Sequence, residues 1–287
     1  MFTLSTVVCA QEDEIISVES SIVVLNATIT DTKGKVVTGL KQNQFKVLED
    51  GQEQKLDVFE AEQTPFAAVI LIDTSGSMEG SVSLARSAAI KFLDGLRSDD
   101  VTAIYNFDSK ISMVQNFSNS RDIAENIFSL KADGMTALND AIFQAALELG
   151  KRTEKRRAII VLSDGADTYS RRTSDKALKA AVAVNATIYT IDMAASGSSS
   201  NSKAQSQGAL KNFAEKTGGK FIATPGGVAM REAFKNIVEE LGVQYTLGYQ
   251  PTNLKKDGKW RAIEIRVAKP NLIIRTRKGY NAGRSKT

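Results

Sequence analysis

Three short stretches of this chain place oxygen-bearing side chains where an apolar run gives way to a loop or a helical pattern begins. Asp73-Thr74-Ser75-Gly76-Ser77 follows the run Pro65 to Ile72. It sets one carboxylate and two hydroxyls at every second position, and Gly76 lets the backbone curl so that both hydroxyls can face one centre. Leu162-Ser163-Asp164-Gly165 ends a second apolar run, and Asp133-Gly134-Met135-Thr136 precedes a helical pattern. Taken singly, Asp73 or Thr136 reads as a helix cap and Asp164-Gly165 as a turn. Taken together, they converge on the carboxyl edge of a parallel sheet, where open α/β sheets bind their ligands. Two carboxylates facing one another there repel unless a cation lies between them. The expected chemistry is therefore capture of one hard divalent cation by Asp73, Ser75, Ser77, Thr136 and Asp164.

Composition narrows the choice of ion and of reaction. The 287 residues include no histidine and one cysteine, Cys9. That removes histidine acid–base chemistry and Ser-His-Asp triads, together with the usual ligands of zinc, copper, haem and iron–sulfur centres. Oxygen ligands point to Mg²⁺, with Mn²⁺ or Ca²⁺ as alternatives. The net charge of +4 is too small to imply nucleic acid. The basic cluster from Lys151 to Arg157 lacks interleaved aromatic residues and reads as a solvated helix end. No apolar run is long enough to span a bilayer.

The rhythm of the chain predicts the elements that must position these residues. Ser21 to Thr30, Phe45 to Leu48 and Lys55 to Phe59 read as strands separated by turn signals. From Pro65 the pattern alternates. Buried strands are expected over Pro65 to Ile72 and Arg157 to Leu162, a further strand over Thr187 to Met193, and a hairpin over Val101 to Phe107 and Ile111 to Phe117. Helices are expected over Val82 to Leu96, Arg121 to Leu130, Ala137 to Gly150, Ser174 to Asn185, Gln207 to Lys216 and Val228 to Leu241. Strands return at Gln244 to Tyr249, Arg261 to Val267 and Leu272 to Arg277. The fold class this predicts is α/β, a Rossmann-like doubly wound, mostly parallel sheet, with a small β-domain formed by the N- and C-terminal segments. The divisions are residues 1–10 as the remnant of a signal peptide, 11–63 as a β-rich segment, 64–242 as the α/β domain and 243–287 as a β-rich segment packing with 11–63.

The three motifs carry a family resemblance. Asp73 to Ser77 (DTSGS), Gly134 to Thr136 (GMT) and Ser163 to Gly165 (SDG) resemble the metal-ion-dependent adhesion site of von Willebrand factor A (VWA) domains. Their order and spacing match throughout Pro65 to Leu241. The resemblance implies that Ser75, Ser77 and Thr136 touch the metal directly and that Asp73 and Asp164 act largely through water. The flanks, with Phe45 to Gly51, Leu247-Gly248-Tyr249 and Arg277 to Tyr280, resemble exported bacterial proteins called VWFA-related, of the acidobacterial type.

The function expected is a metal-dependent protein-binding module, for adhesion or assembly, whose ion takes an Asp or Glu carboxylate of a protein partner. It is not expected to be an enzyme. The alternatives are a scaffold whose metal is structural and, ranked last, a Mg²⁺-dependent phosphoester hydrolase. Ser75 stands where an aspartyl-phosphate enzyme would carry its second Asp, and no Gly-x-x-x-x-Gly-Lys loop is present. The Ser-rich stretch Ala195 to Gln205 reads either as a partner-contact loop or as a flexible connector. Asp108 and Asp167 read either as supports behind the direct ligands or as solvated loop carboxylates. Phe2 to Ala10 resembles an export signal with a small-residue cleavage site, so a periplasmic or extracellular location is expected.

Overall fold

The computed structural model describes residues 22–61, 63–194, 200–223 and 227–283. The expected export signal and Cys9 lie outside the described residues. Four strands come first: β1 (Val23–Asp31), β2 (Phe45–Glu49), β3 (Gln52–Gln54) and β4 (Leu56–Glu60). The alternating middle then runs β5 (Phe66–Asp73), α1 (Val82–Asp94), β6 (Val101–Phe107), β7 (Ile111–Ser118), α2 (Leu138–Gly150), β8 (Arg156–Ser163), α3 (Ser174–Ala183), β9 (Ala186–Asp192), α4 (Ser200–Thr217), β10 (Phe221–Ile222) and α5 (Gly227–Val243). Strands β11 (Tyr245–Tyr249), β12 (Trp260–Val267), β13 (Leu272–Arg275) and β14 (Gly279–Asn281) follow.

The middle builds one six-stranded sheet in the order β10-β9-β8-β5-β6-β7. All its pairings are parallel except β6 with β7. Strand β5 is buried along its whole length because both faces of the sheet are covered. Its residues alternate between two cores. Phe66, Ala68, Ile70 and Ile72 pack with Phe92 of α1 and Phe234, Ile237 and Leu241 of α5. Ala67, Val69 and Leu71 pack with Leu138, Ala141 and Ala145 of α2, Ala177 of α3 and Phe213 of α4. This burial sends the end of β5, and Asp73 with it, to the rim of the sheet.

The terminal segments form two four-stranded antiparallel sheets, β13-β1-β11-β4 and β14-β12-β2-β3. Each contains strands from both ends of the chain, as the fold-class expectation required. Their shared core includes Leu25, Ala27, Ile29, Val47, Leu247 and Ile265. The other face of β1 is polar and buried, with Asn26, Thr28 and Thr30 turned out of that core. It meets the amino-terminal side of the α/β sheet. Asn26 Nδ2 donates to Lys155 O, and Gln244 Nε2 donates to Thr28 Oγ1 at 3.1 Å.

Gly218 fits this junction closely. Its φ is +82°, and a Cβ there would lie 2.4 Å from the Thr276 carbonyl carbon. Gly218→Ala should therefore destabilise the protein by about 2–4 kcal/mol, from backbone strain plus overlap. A urea midpoint unchanged from wild type would show that the β-module does not press on this turn.

Two sequence expectations are corrected. Arg121 to Leu130 is not an α-helix, and only Glu125–Ser129 turns, as a 3-10 segment. Local side chains compete for its backbone: Ser120 Oγ accepts from Asp122 N, and Gln115 Oε1 from Ala124 N. Helix α4 also begins earlier than Gln207, at Ser200. Much of the expected Ser-rich loop is thus helical, while residues 195–199 lie outside the described residues.

Candidate metal centre

Strand β5 ends at Asp73, and the chain enters a short 3-10 turn at Gly76–Met78. Asp73 is fully buried, Ser75 nearly so, and Ser77 exposed. Asp73 Oδ1 accepts from Ser75 N at 2.9 Å and from Ser75 Oγ at 2.6 Å. An ionised carboxylate only accepts, so the Ser75 hydroxyl proton points inward and its lone pairs face out. Ser77 Oγ stands 3.2 Å from Ser75 Oγ on that outer side.

The second loop is fastened to the first by its backbone. Gly76 N donates to Gly134 O at 3.1 Å, and Asp133 N to Thr74 O at 2.8 Å. Gly134 has φ +74°, a left-handed turn that brings Thr136 to the start of α2. Thr136 is buried, its N–H donates to Thr168 Oγ1 at 3.0 Å, and its carbonyl accepts from Thr168 N and Tyr169 N.

The third loop leaves β8, which lies beside β5. Ser163 Oγ donates to Asp73 Oδ2 and accepts from Gly165 N at 3.0 Å. Asp164 is half-buried, and its Oδ1 accepts from Ala166 N. Burial pushes the Asp73 carboxyl up to about 6. The hydrogen bonds from Ser163 and Ser75 oppose that rise, and the charge of Asp164 adds to it.

All five expected residues thus stand on adjoining loops at one edge. Asp73, Ser75 and Ser77 are linked by hydrogen bonds or close oxygen contact, and Thr136 is held through its loop. Asp164 is near enough for its charge to act on Asp73. Among the described residues no three His, Cys, Asp or Glu side chains gather at one point, so a cation here would depend on hydroxyl oxygens. Asp108 accepts from Lys110 N, and its carbonyl accepts from Ala137 N. Asp167 is exposed and bonded to Asn139 and Ser170 N.

Sequence reasoning overlooked three supports. Ser163 fixes the far oxygen of Asp73 from the end of β8, a contact set by the pairing of β5 with β8 and carried by no sequence pattern. Asn106 Nδ2 donates to Thr74 Oγ1 at 3.1 Å. Asp192, buried at the end of β9, accepts from Gln207 Nε2 at 2.7 Å and so ties α4 to the same edge. Helix α4 also crosses Gly165 closely, with Ser206 O 2.6 Å from where a Cβ would be.

Comparison with known proteins agrees with this architecture. Residues 68–166 match the family model described as von Willebrand factor type A domain. That stretch, from within β5 to the loop after β8, is similar to a VWA domain. An uncharacterized protein of Synechocystis sp. is 32% identical over 120 residues, which is 40% of this chain and 28% of that protein. The chain thus matches just over a quarter of that relative's length.

Solved structures share the fold at low identity. The vWF domain of the type V pili tip protein Mfa5 from Porphyromonas gingivalis is 15% identical, with TM-score 0.52, covering 64% of this chain and 98% of that one. The pilus adhesin SpaC from Lactobacillus rhamnosus GG is 11% identical, with TM-score 0.52 and coverage of 89% and 49%. A von Willebrand factor type A protein from Catenulispora acidiphila is 14% identical, with TM-score 0.51 and coverage of 86% and 76%.

Proposed function

We propose that this protein is an exported, metal-dependent binding module. It would hold one Mg²⁺, or Mn²⁺ or Ca²⁺, at Ser75, Ser77 and Thr136, with Asp73 and Asp164 behind them, and capture a carboxylate of a protein partner. The observation that carries the reading is the orientation of the Ser75 hydroxyl. Its proton is committed to Asp73 at 2.6 Å, so its lone pairs are left to accept from Ser77 Oγ, 3.2 Å away, or to meet a cation. The donor set is oxygen alone, which suits a hard cation. Neutral hydroxyls in contact with an ion leave it electron-poor, and an electron-poor ion favours an incoming anionic oxygen. Two of the fold neighbours are described as a pilus tip protein and a pilus adhesin, which is compatible with a binding role.

The test is retention of a partner from envelope and secreted fractions of the source cell. Wild type with Mg²⁺ should retain it, while wild type with EDTA and Ser75→Ala with Mg²⁺ should not. Retention in all three conditions would move the binding surface off the metal. A scaffold with a structural ion would then be the better account.

A further inference from the structure

Nine large apolar side chains are exposed among the described residues, and two of them, Met135 and Tyr169, stand on the loops of the candidate metal centre. Each is 49% exposed. Neither is exposed for want of order in its backbone. Met135 N donates to Ser109 Oγ at 3.0 Å, and Tyr169 N donates to Thr136 O at 2.9 Å. Gly134, just before Met135, is fixed by φ +74° and by its carbonyl's bond from Gly76 N. The three loops are thus tied to one another, and they hold these two side chains out beside Thr136. Single exposed apolar side chains are ordinary at a surface; what sets these two apart is that fixed loops place both beside one polar centre, the arrangement of an apolar contact patch around a polar anchor.

We propose that Met135 and Tyr169 set the specificity of this site. They would select a protein segment whose single carboxylate is flanked by apolar side chains. The inference rests on the metal-dependent reading above. The partner's carboxylate would approach next to Thr136, so the residues on either side of it pass over Met135 and Tyr169. Asp133 and Asp167 lie on the same loops, and Asp108, whose carbonyl accepts from Ala137 N, lies in the β6–β7 turn. Their charges oppose an acidic run or a polyanion, and a lone carboxylate among apolar neighbours avoids that repulsion.

The test uses the full chain and three short synthetic peptides: Glu flanked by Leu, Glu flanked by Ser, and a run of Glu. With Mg²⁺, the Leu-flanked peptide should bind about tenfold tighter than the Ser-flanked one, on the apolar area it would cover. The run of Glu should bind no better than the Ser-flanked peptide. Met135→Ser and Tyr169→Ser should each remove most of that preference without changing Mg²⁺ affinity, and Tyr169→Phe should keep it. Equal Mg²⁺-dependent binding of the Leu- and Ser-flanked peptides would overturn this inference and leave the metal reading standing. Binding that is the same in EDTA would overturn the metal reading instead. No binding of any peptide to the Mg²⁺-loaded protein would count against both.

Discussion

Asp73→Asn is expected to abolish the stabilisation of this protein by Mg²⁺ while making the metal-free protein more stable at neutral pH. The two effects have one cause. In the folded chain Asp73 is buried and its carboxyl is pushed up to about 6, above the ordinary 3.8. Below the ordinary value the group is protonated in both states, and its contribution to stability is fully present. That contribution is lost as pH rises through about 6, because the buried form then carries a charge. Near pH 7 the ionised carboxylate therefore opposes folding unless a cation offsets it. The amide removes the charge and keeps the size but gives up one of the two acceptor oxygens that Ser75 and Ser163 use, so metal-free stability should rise by less than about 2 kcal/mol. Saturating Mg²⁺ stabilises a binding-competent protein by about 2.7 kcal/mol at a hundred times its Kd. Wild type should show that gain in thermal unfolding, and Asp73→Asn should show none. Equal Mg²⁺ stabilisation in both would remove Asp73 from the site.

The second large effect lies at the opposite end of the neighbouring strand. Arg156 opens β8 and is fully buried. Its Nη1 donates to Leu241 O at 3.3 Å and Gly242 O at 2.8 Å, where α5 ends, and Nε donates to Thr246 Oγ1 of β11. Burial, together with the nearby Arg97 charge, lowers its pKa to about 10, so it remains charged at neutral pH. Arg156→Ala would empty the junction and strip both carbonyls of this donor. The expected loss is about 3–5 kcal/mol. Arg156→Met keeps the stem and should lose less. Arg156 and Ser163 are the two ends of an eight-residue strand, so the junction lies about 23 Å from the candidate site. Mg²⁺ affinity should change by less than about threefold. Urea unfolding with Mg²⁺ titration separates the two readouts. A loss under about 1 kcal/mol would show that Arg156 does not hold the junction.

The parts of the fold that were legible in the sequence are those where one physical cause dominates. Strands β5 and β8 read as continuous apolar runs because helices cover both faces of the sheet. Strand β12 alternates because one face meets a core and the other meets water. The misread stretch from Arg121 to Leu130 carries an apolar spacing that a helix would share. Its backbone is claimed instead by the side chains of Ser120 and Gln115, which lie outside the pattern. Strands β3 and β14, three residues each, are too short to show a period. The polar face of β1 was equally opaque. Asn26, Thr28 and Thr30 look solvent-facing until a second body of the same chain covers them. At the candidate site, the oxygen-bearing residues and their shared edge could be read from the motifs. The role of Ser163 could not, because it depends on the register between β5 and β8.

Diffraction from crystals grown with Mn²⁺ and acetate, recorded for the anomalous signal of the metal, would locate the ion and its ligands together. One anomalous peak is expected within bonding distance of Ser75 Oγ, Ser77 Oγ and Thr136 Oγ1, with an acetate oxygen in an open position of the same ion. A peak elsewhere on the surface, or none at saturating Mn²⁺, would contradict the metal-dependent reading.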